Sequence, residues 1–264
     1  MKPRFSATRR VGNGTIVILV LAWSLHETGV GITSLIDGRA GALRMLKGVA
    51  SPDMSGEFLG IVGSAIVETL HISLAALVFA VVLGVPLALL IAGNVGAPAF
   101  IRQGAVVAAA TLRGVPELLL ALVFVATVGL GPAAGVYAIG LHGAGLLAKL
   151  LSEQLEAVPR GPVTAIRAMG APRYVIAGFG IIPQASSDIV SLILYQWECN
   201  IRTATIVGFV GGGGVGQLLD IALKLFRYDE LATLVLAVLA IILAVDMFSR
   251  ALRQRVGATV SSVQ

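Results

Sequence analysis

Thr164–Pro183 reads "TAIRAMGAPRYVIAGFGIIP" and lies between two long apolar runs. Gly161 and Pro162 stand just before it, and proline is tolerated in the first turn of a helix, where its missing N–H would be unsatisfied anyway. Gly170 suits the left-handed conformation that closes a helix, and Pro172 prevents its continuation. A helix of about two turns is therefore expected over 162–171. A helix so short is unstable alone in water and must dock, on its own bundle or on another protein. Ala165, Ala168, Gly170 and Ala171, with Thr164 and Arg167 between them, leave little bulk on the backbone, which suits insertion into a groove on a partner.

Working outward, the surroundings are not those of a soluble protein. Of 264 residues 57% are hydrophobic and 12% charged, and mean hydropathy is +0.93. Such a chain cannot cover a water-facing surface with polar groups, so its solvent is lipid. Apolar stretches near the roughly 20 residues that cross a hydrocarbon core recur along the whole length. Six spans are expected, at 15–32, 67–92, 112–130, 133–151, 185–210 and 230–249, in one all-α polytopic bundle. The first is the weakest: His26 and Glu27 interrupt it, and the short run "TIVILVLAWSL" also fits a signal peptide, although no small-x-small cleavage site follows before Asp37. Residues 1–66 are thus read as an N-terminal tail, first span and connector, 67–250 as the transmembrane domain, and 251–264 as a C-terminal tail.

The pI near 9.8 does not mark a nucleic-acid binder, because the cations flank the spans rather than forming one patch. With a cytoplasmic amino terminus, the outer loops hold only Arg39, Arg44, Lys47, Lys224 and Arg227. Arg202 lies within a span, which leaves thirteen of the nineteen cations inside. The positive-inside rule then puts both termini and the quoted stretch in the cytoplasm. The single cysteine, Cys199, excludes a disulfide framework, and isolated His71 and His142 point to packing or backbone bonding rather than metal.

"GGGGVG" at 211–216 satisfies the dinucleotide spacing G-x-G-x-x-G, but it follows a membrane helix instead of a strand. Gly211, Gly213 and Gly216 are expected to form an outer turn. The next stretch, "GQLLDIALKLF", is amphipathic, with Leu218, Leu219, Ala222, Leu225 and Phe226 on one face and Asp220 and Lys224 paired on the other. In the fifth span, "YQWECNIRTAT" sets Glu198, Asn200 and Arg202 in apolar surroundings; each central charge costs about 2.5–3.5 kcal/mol, so these face protein or water. Two readings stand. Glu198 and Arg202 neutralise each other at i, i+4, or Trp197, Glu198, Asn200, Arg202 and Thr205 line a polar pathway in which the guanidinium fork attracts an oxyanion. Glu117, beside Pro116, is a further candidate for that pathway or an interfacial carboxylate.

The quoted stretch resembles the cytoplasmic coupling loop of ABC importer permeases, whose pattern is Glu-Ala-Ala, three residues, Gly, nine residues, Ile-x-Leu-Pro. Ala165, Gly170 and Pro183 match; Thr164 stands in place of the Glu, Ile166 of the second Ala, Gly180 of the Ile and Ile182 of the Leu. Further segments, "RGVPELLLALVFVATVGLGPAAGVYAIGLH", "LLAKLLSEQLEAV", "YQWECNIRTATIVGFVGGGGVGQLL" and "FRYDELATLVL", resemble the permeases of phosphonate importers over most of 67–250. The resemblance implies a type I ABC importer permease fold without a cofactor, in a prokaryotic cytoplasmic membrane. It also implies a second copy of the chain, two cytoplasmic ATPase subunits and an extracytoplasmic phosphonate- or phosphate-binding protein. The competing classes are an intramembrane enzyme, for which neither H-E-x-x-H nor G-x-S-x-G is present, and a stand-alone secondary transporter or channel.

Overall fold

A computed structural model describes residues 7–28, 41, 43 and 45–256. The last positions of the expected first span, 29–32, the tail 257–264 and the cations Lys2, Arg4, Arg39 and Arg44 lie outside the described residues. The chain separates into two compact units, 1–51 and 52–264. In the first, α1 covers Ala7–Glu27, and its apolar part, Ile16–Glu27, is shorter than a membrane crossing.

The second unit is entirely helical among its described elements. It contains α2 (Gly56–Ile91), α3 (Ala99–Gly114), α4 (Glu117–Val128), α5 (Pro132–Ala157), α6 (Arg160–Ala168), α7 (Ile182–Gly208), α8 (Gly214–Lys224) and α9 (Tyr228–Val256). A turn of helix at Arg173–Val175 and a π-helical stretch at Ile176–Ile181 run straight into α7, giving one 36-residue rod from Arg173 to Gly208. Among the described residues four helices are long and apolar enough to cross a membrane: α2, α5, the Arg173–Gly208 rod and α9. The pair α3 and α4 makes a fifth candidate, bent by 84°.

That bend corrects the expectation of one straight span at 112–130. Pro116 cannot donate to the ladder and pushes Val115 out of the helical region, to φ −88° and ψ 122°, so α3 stops at Gly114. The break is held from α5. His142 Nδ1 lies 3.0 Å from the Val115 carbonyl oxygen, and its Nε2 lies 3.7 Å from Glu117 Oε2 at the start of α4. One turn on, Gly145 lets the backbones touch: a Cβ there would sit 2.6 Å from the Arg113 nitrogen and 2.7 Å from the Ala109 oxygen.

α5 is the central helix, and its small residues explain why. Ala134, Ala138, Gly140, Gly143, Ala144 and Ala148 are buried, and a Cβ on Gly84 of α2 would come within 2.9 Å of the Ala144 oxygen. In lipid, where no hydrophobic force drives helices together, such close approach maximises dispersion and is what small residues contribute. α5 and α7 run between two opposite ends of the bundle. At one end the chain turns through α6; at the other, Gly131 donates its N–H to the Gly211 oxygen at 2.8 Å.

Candidate functional site

At the α6 end, the expected short helix is present but starts two residues earlier, at Arg160 after Pro159, and ends at Ala168. Gly170 closes it with φ +77°, the left-handed value its position requires. α6 sits on its own bundle through Val163 and Ile166, which pack with Ala92, Leu155, Ile176, Ile181 and Ala185. Ala171 joins that cluster from just past the helix, and Pro183 lies in the first turn of α7. Thr164, Ala165, Arg167, Ala168 and Gly170 are exposed, and the Thr164 hydroxyl is spent on the Arg160 and Gly161 carbonyls, at 3.0 and 2.8 Å. Next to them Met169, Tyr174 and Phe179 are each 77% exposed, large apolar side chains at a place where the bundle leaves them uncovered.

The strut under α6 is the connection between α2 and α3. Glu156 Oε1 accepts the Gly93 N–H at 2.7 Å, Asn94 Nδ2 donates to the Leu155 oxygen at 2.6 Å, and Arg173 Nη1 donates to the Gly96 oxygen at 2.6 Å. Nothing in the local sequence announces these contacts, which join residues more than sixty positions apart.

In α7 the candidates separate onto two faces. Trp197 Nε1 donates to Ser73 Oγ at 3.2 Å, Asn200 Nδ2 donates to the Ser73 oxygen at 3.3 Å, and Gln196 Nε2 donates to Asn200 Oδ1 at 2.9 Å. Asn200 is 1% exposed and Gln196 4%, so this chain of bonds is an internal staple between α7 and α2. Thr205, also buried, returns its hydroxyl to the Ile201 oxygen at 3.2 Å. Asn200 and Thr205 therefore face the interior of this bundle; only a neighbour's rearrangement would bring them to a pathway.

Glu198 and Arg202 lie on the other face, and their relation differs from the expected i, i+4 pair. Glu198 Oε1 accepts from Arg253 Nη2 of α9 at 2.7 Å, with both side chains 13% exposed. Arg202 is exposed and points Nη2 at Cys199 Sγ, 3.4 Å away. Charge pairing across two helices won because Arg253, three residues before the end of α9, has the reach and the flexible stem to come back to Glu198. A cavity of about 170 Å³ lies between the two helices, lined by Glu198, Ile201, Arg202, Ile242, Val245 and Asp246. Asp246 is held by Arg250 at 2.5 Å.

At the opposite end Gly211 and Gly213 take φ +94° and +83° and make the expected turn. Gly216 is not part of it: it lies in the first turn of α8 and packs on α7, where a Cβ on Gly208 would be 2.6 Å from the Gly216 Cα. Thr69 of α2 caps α8 by accepting the Val215 N–H at 2.9 Å. The α8 face splits as well. Leu219 and Ala222 are buried, but the helix stops at Lys224 and Phe226 has φ +57°, which turns Leu225 and Phe226 outward. The Asp220–Lys224 pair forms at 2.6 Å. Among the described residues no group of three or more His, Cys, Asp or Glu is placed to hold a metal ion.

A bundle of small-residue helices, several of them long and apolar enough to cross a membrane, with a short exposed helix at one end, is the architecture of a polytopic membrane protein. A family model for the inner membrane component of binding-protein-dependent transport systems matches residues 84–258. The chain belongs to that family, which makes it a permease component and not an enzyme. It is 34% identical over 247 residues to the phosphite transport system permease protein PtxC of Stutzerimonas stutzeri, covering 93% of this chain and 89% of the relative. It is also 34% identical over 192 residues to the phosphate-import permease protein PhnE of Mycolicibacterium smegmatis, 73% of this chain and 36% of the relative. The fold matches the permease of the MetNI methionine ABC transporter in an inward-facing conformation, with TM-score 0.69 and 20% identity over 77% of this chain and 99% of that one.

Proposed function

We propose that this chain is the permease subunit of an ATP-driven importer for a phosphorus oxyanion: phosphonate, phosphite or phosphate. The observation that carries the reading is α6, a helix too short to stand alone, fixed to the bundle by Val163 and Ile166 while its other face and Met169, Tyr174 and Phe179 remain bare. A stand-alone carrier has no use for such an element; a subunit driven by a cytoplasmic ATPase does. The phosphite and phosphate permeases among its relatives support the substrate class, as does a guanidinium within a span, since Arg presents a fork of donors to two oxygens at once.

In this reading the α6 end faces the cytoplasm, with both termini, an orientation that the distribution of Lys and Arg supports. A second permease copy completes the pathway, and an extracytoplasmic binding protein delivers the anion at the end that carries α8. Closure of two ATPase subunits on ATP moves α6, the bundle opens outward, and hydrolysis returns it inward. Arg202 attracts the anion, and Glu117 lies on the wall of the same route. With Glu198 engaged by Arg253, the charge at Arg202 is left available without becoming a trap, because a pathway that holds its cargo tightly cannot release it.

The test is reconstitution of the permease in proteoliposomes with its candidate ATPase and binding-protein partners, followed by uptake of labelled phosphite, phosphate and methylphosphonate. Uptake that needs ATP and the binding protein is expected. Uptake of equal rate in vesicles without the ATPase would establish a secondary carrier instead.

A further inference from the structure

Where α2, α8 and α9 meet, at the end of the bundle opposite α6, lies an open cleft of about 340 Å³. Its wall changes character with depth. At the rim stand Asp53, Glu57, Arg227 and Glu230, in or just before the first turns of α2 and α9. Both helices are long enough to cross a membrane, so their starts lie toward one membrane surface. Past Glu57 and Glu230 come Ile61 and Leu234, about 6 Å further along their helices at 1.5 Å per residue, and α8 adds Leu218 and Ile221 beside them. The charge at the rim does not balance. Arg227 is engaged with Glu230, while Asp53 and Glu57 make no ion pair among the described residues. The Ser55 N–H bonded to Asp53 Oδ1 holds that carboxyl below the ordinary range, so it is ionised at neutral pH. The rim is also fixed in place: Asp53 donates its N–H to the Asp229 oxygen at 3.2 Å, and its own carbonyl oxygen accepts from the Thr233 hydroxyl at 2.7 Å, which pins the segment before α2 to the start of α9.

We infer that this cleft holds the head of a phospholipid bearing a primary ammonium, with the ammonium between Asp53 and Glu57, the phosphate at Arg227, and the upper part of an acyl chain along Ile61, Leu218 and Ile221. The inference asks only that the chain span a bilayer and does not depend on what is transported. Charge at the helix starts followed by apolar surface deeper along two spans is the order of groups in a lipid molecule. Ile61 and Ile221 are exposed within the chain, and acyl carbons laid against them supply burial that the protein itself does not. The two unpaired carboxylates choose the head. A primary ammonium brings N–H donors to both, a choline head brings the same charge without donors, and a glycerol head brings no positive charge. Arg227 has N–H groups to spare for a phosphate, since its side chain is more than half exposed while Glu230 beside it is buried. The volume is small for a ligand site, with room for a head and the first carbons of a chain whose remainder lies in the bilayer.

The experiment is native mass spectrometry of the delipidated full-length permease in mild detergent, with dioleoyl phosphatidylethanolamine, phosphatidylcholine and phosphatidylglycerol added at equal concentration. The ethanolamine lipid should bind about fivefold tighter than the choline lipid, with the glycerol lipid weakest. Glu57→Lys, at an exposed and unpaired position, should reverse that order in favour of the glycerol lipid while the protein still elutes as the native chain does. Asp53→Asn should narrow the preference for ethanolamine over choline. Phosphoethanolamine, which has the head and no chain, should fail to displace the lipid even at about a hundredfold higher concentration, because the acyl contact is missing. Equal affinity for all three lipids, or an order that Glu57→Lys leaves unchanged, would overturn the inference. Displacement by phosphoethanolamine at equal concentration would make the site one for a free zwitterion, and the lipid would be the wrong occupant. Loss of binding-protein attachment in Glu57→Lys, with the native order of lipids retained, would make the cleft a protein docking surface and would equally overturn it.

Discussion

Gly170 offers the sharpest separation of folding from function in this chain. Its φ of +77° is a region in which an L-residue pays about 1–2 kcal/mol of steric strain, while a Cβ built there meets nothing within 4 Å. The whole cost of Gly170→Ala is therefore backbone strain, and at about 2–4 °C per kcal/mol for a domain of this size the melting temperature should fall by about 2–8 °C. Gly170→Asn should fall by less, since asparagine tolerates the left-handed region. Gly170→Glu carries the same strain as alanine and no clash within the subunit, so it should insert and melt like Gly170→Ala. What it adds is a bulky anion on the docking face. Measured in proteoliposomes with the ATPase and binding protein, anion taken up per ATP hydrolysed should stay near native for Gly170→Asn and fall by about tenfold for Gly170→Glu, the effect of some 1.4 kcal/mol in coupling. Loss of uptake in step with loss of folded protein, or full coupling in Gly170→Glu, would refute the assignment of this face to force transfer.

Three further outcomes follow from contacts in the bundle. Asn200→Leu leaves the whole Gln196 amide unpaired in the interior and should destabilise the protein by about 1–3 kcal/mol in a reversible unfolding assay in micelles; adding Gln196→Leu removes the stranded amide and should recover part of that loss. Arg253→Gln strands Glu198 and should cost more than Glu198→Gln, because an orphaned Arg253 near the end of α9 can swing to the membrane surface; the double variant should be more stable than Arg253→Gln alone, as a double-mutant cycle would report. Asp53 is held below the ordinary carboxylate range by the Ser55 N–H, 2.9 Å from Oδ1, and by the Ser55 side chain. With the folded-state pKa depressed, the stabilisation is complete above the ordinary carboxylate pKa and is lost as pH falls through the lower, folded value, so Asp53→Asn should flatten that part of the acid melting profile.

The helical class and the location of the short helix were legible in the sequence because each rests on local chemistry: hydropathy for the spans, and Gly170 and Pro172 for the end of the helix, whereas its start was set by Pro159 rather than Pro162. The break at Pro116 was partly legible from the proline, but its angle depends on His142 and Gly145, which come from another helix. The π-helical stretch at Ile176–Ile181 went unread; Gly178, Gly180 and Pro183 close together were the available sign of a strained ladder. The charges of α7 were noticed and their partners were not. Glu198 has a cation four residues away in sequence, yet the pair that forms spans 55 positions, and no periodicity carries that information. Asn200 looked like pathway wall from its polarity alone, and the hydrogen bond to the Ser73 backbone that draws it inward connects residues 127 positions apart.

The unbroken rod from Arg173 to Gly208 begins just past Gly170 and ends at the glycine turn. At 1.5 Å per residue its 36 residues are about 54 Å long, so a swing of about 5° about the near end carries the far end some 5 Å, the size of one helical turn. Gly208 and Gly216 meet backbone to backbone at that far end, so no side chain stands between the rod and α8. In the proposed transport cycle, that geometry would magnify a slight nudge at the α6 end into a larger displacement at the α8 end.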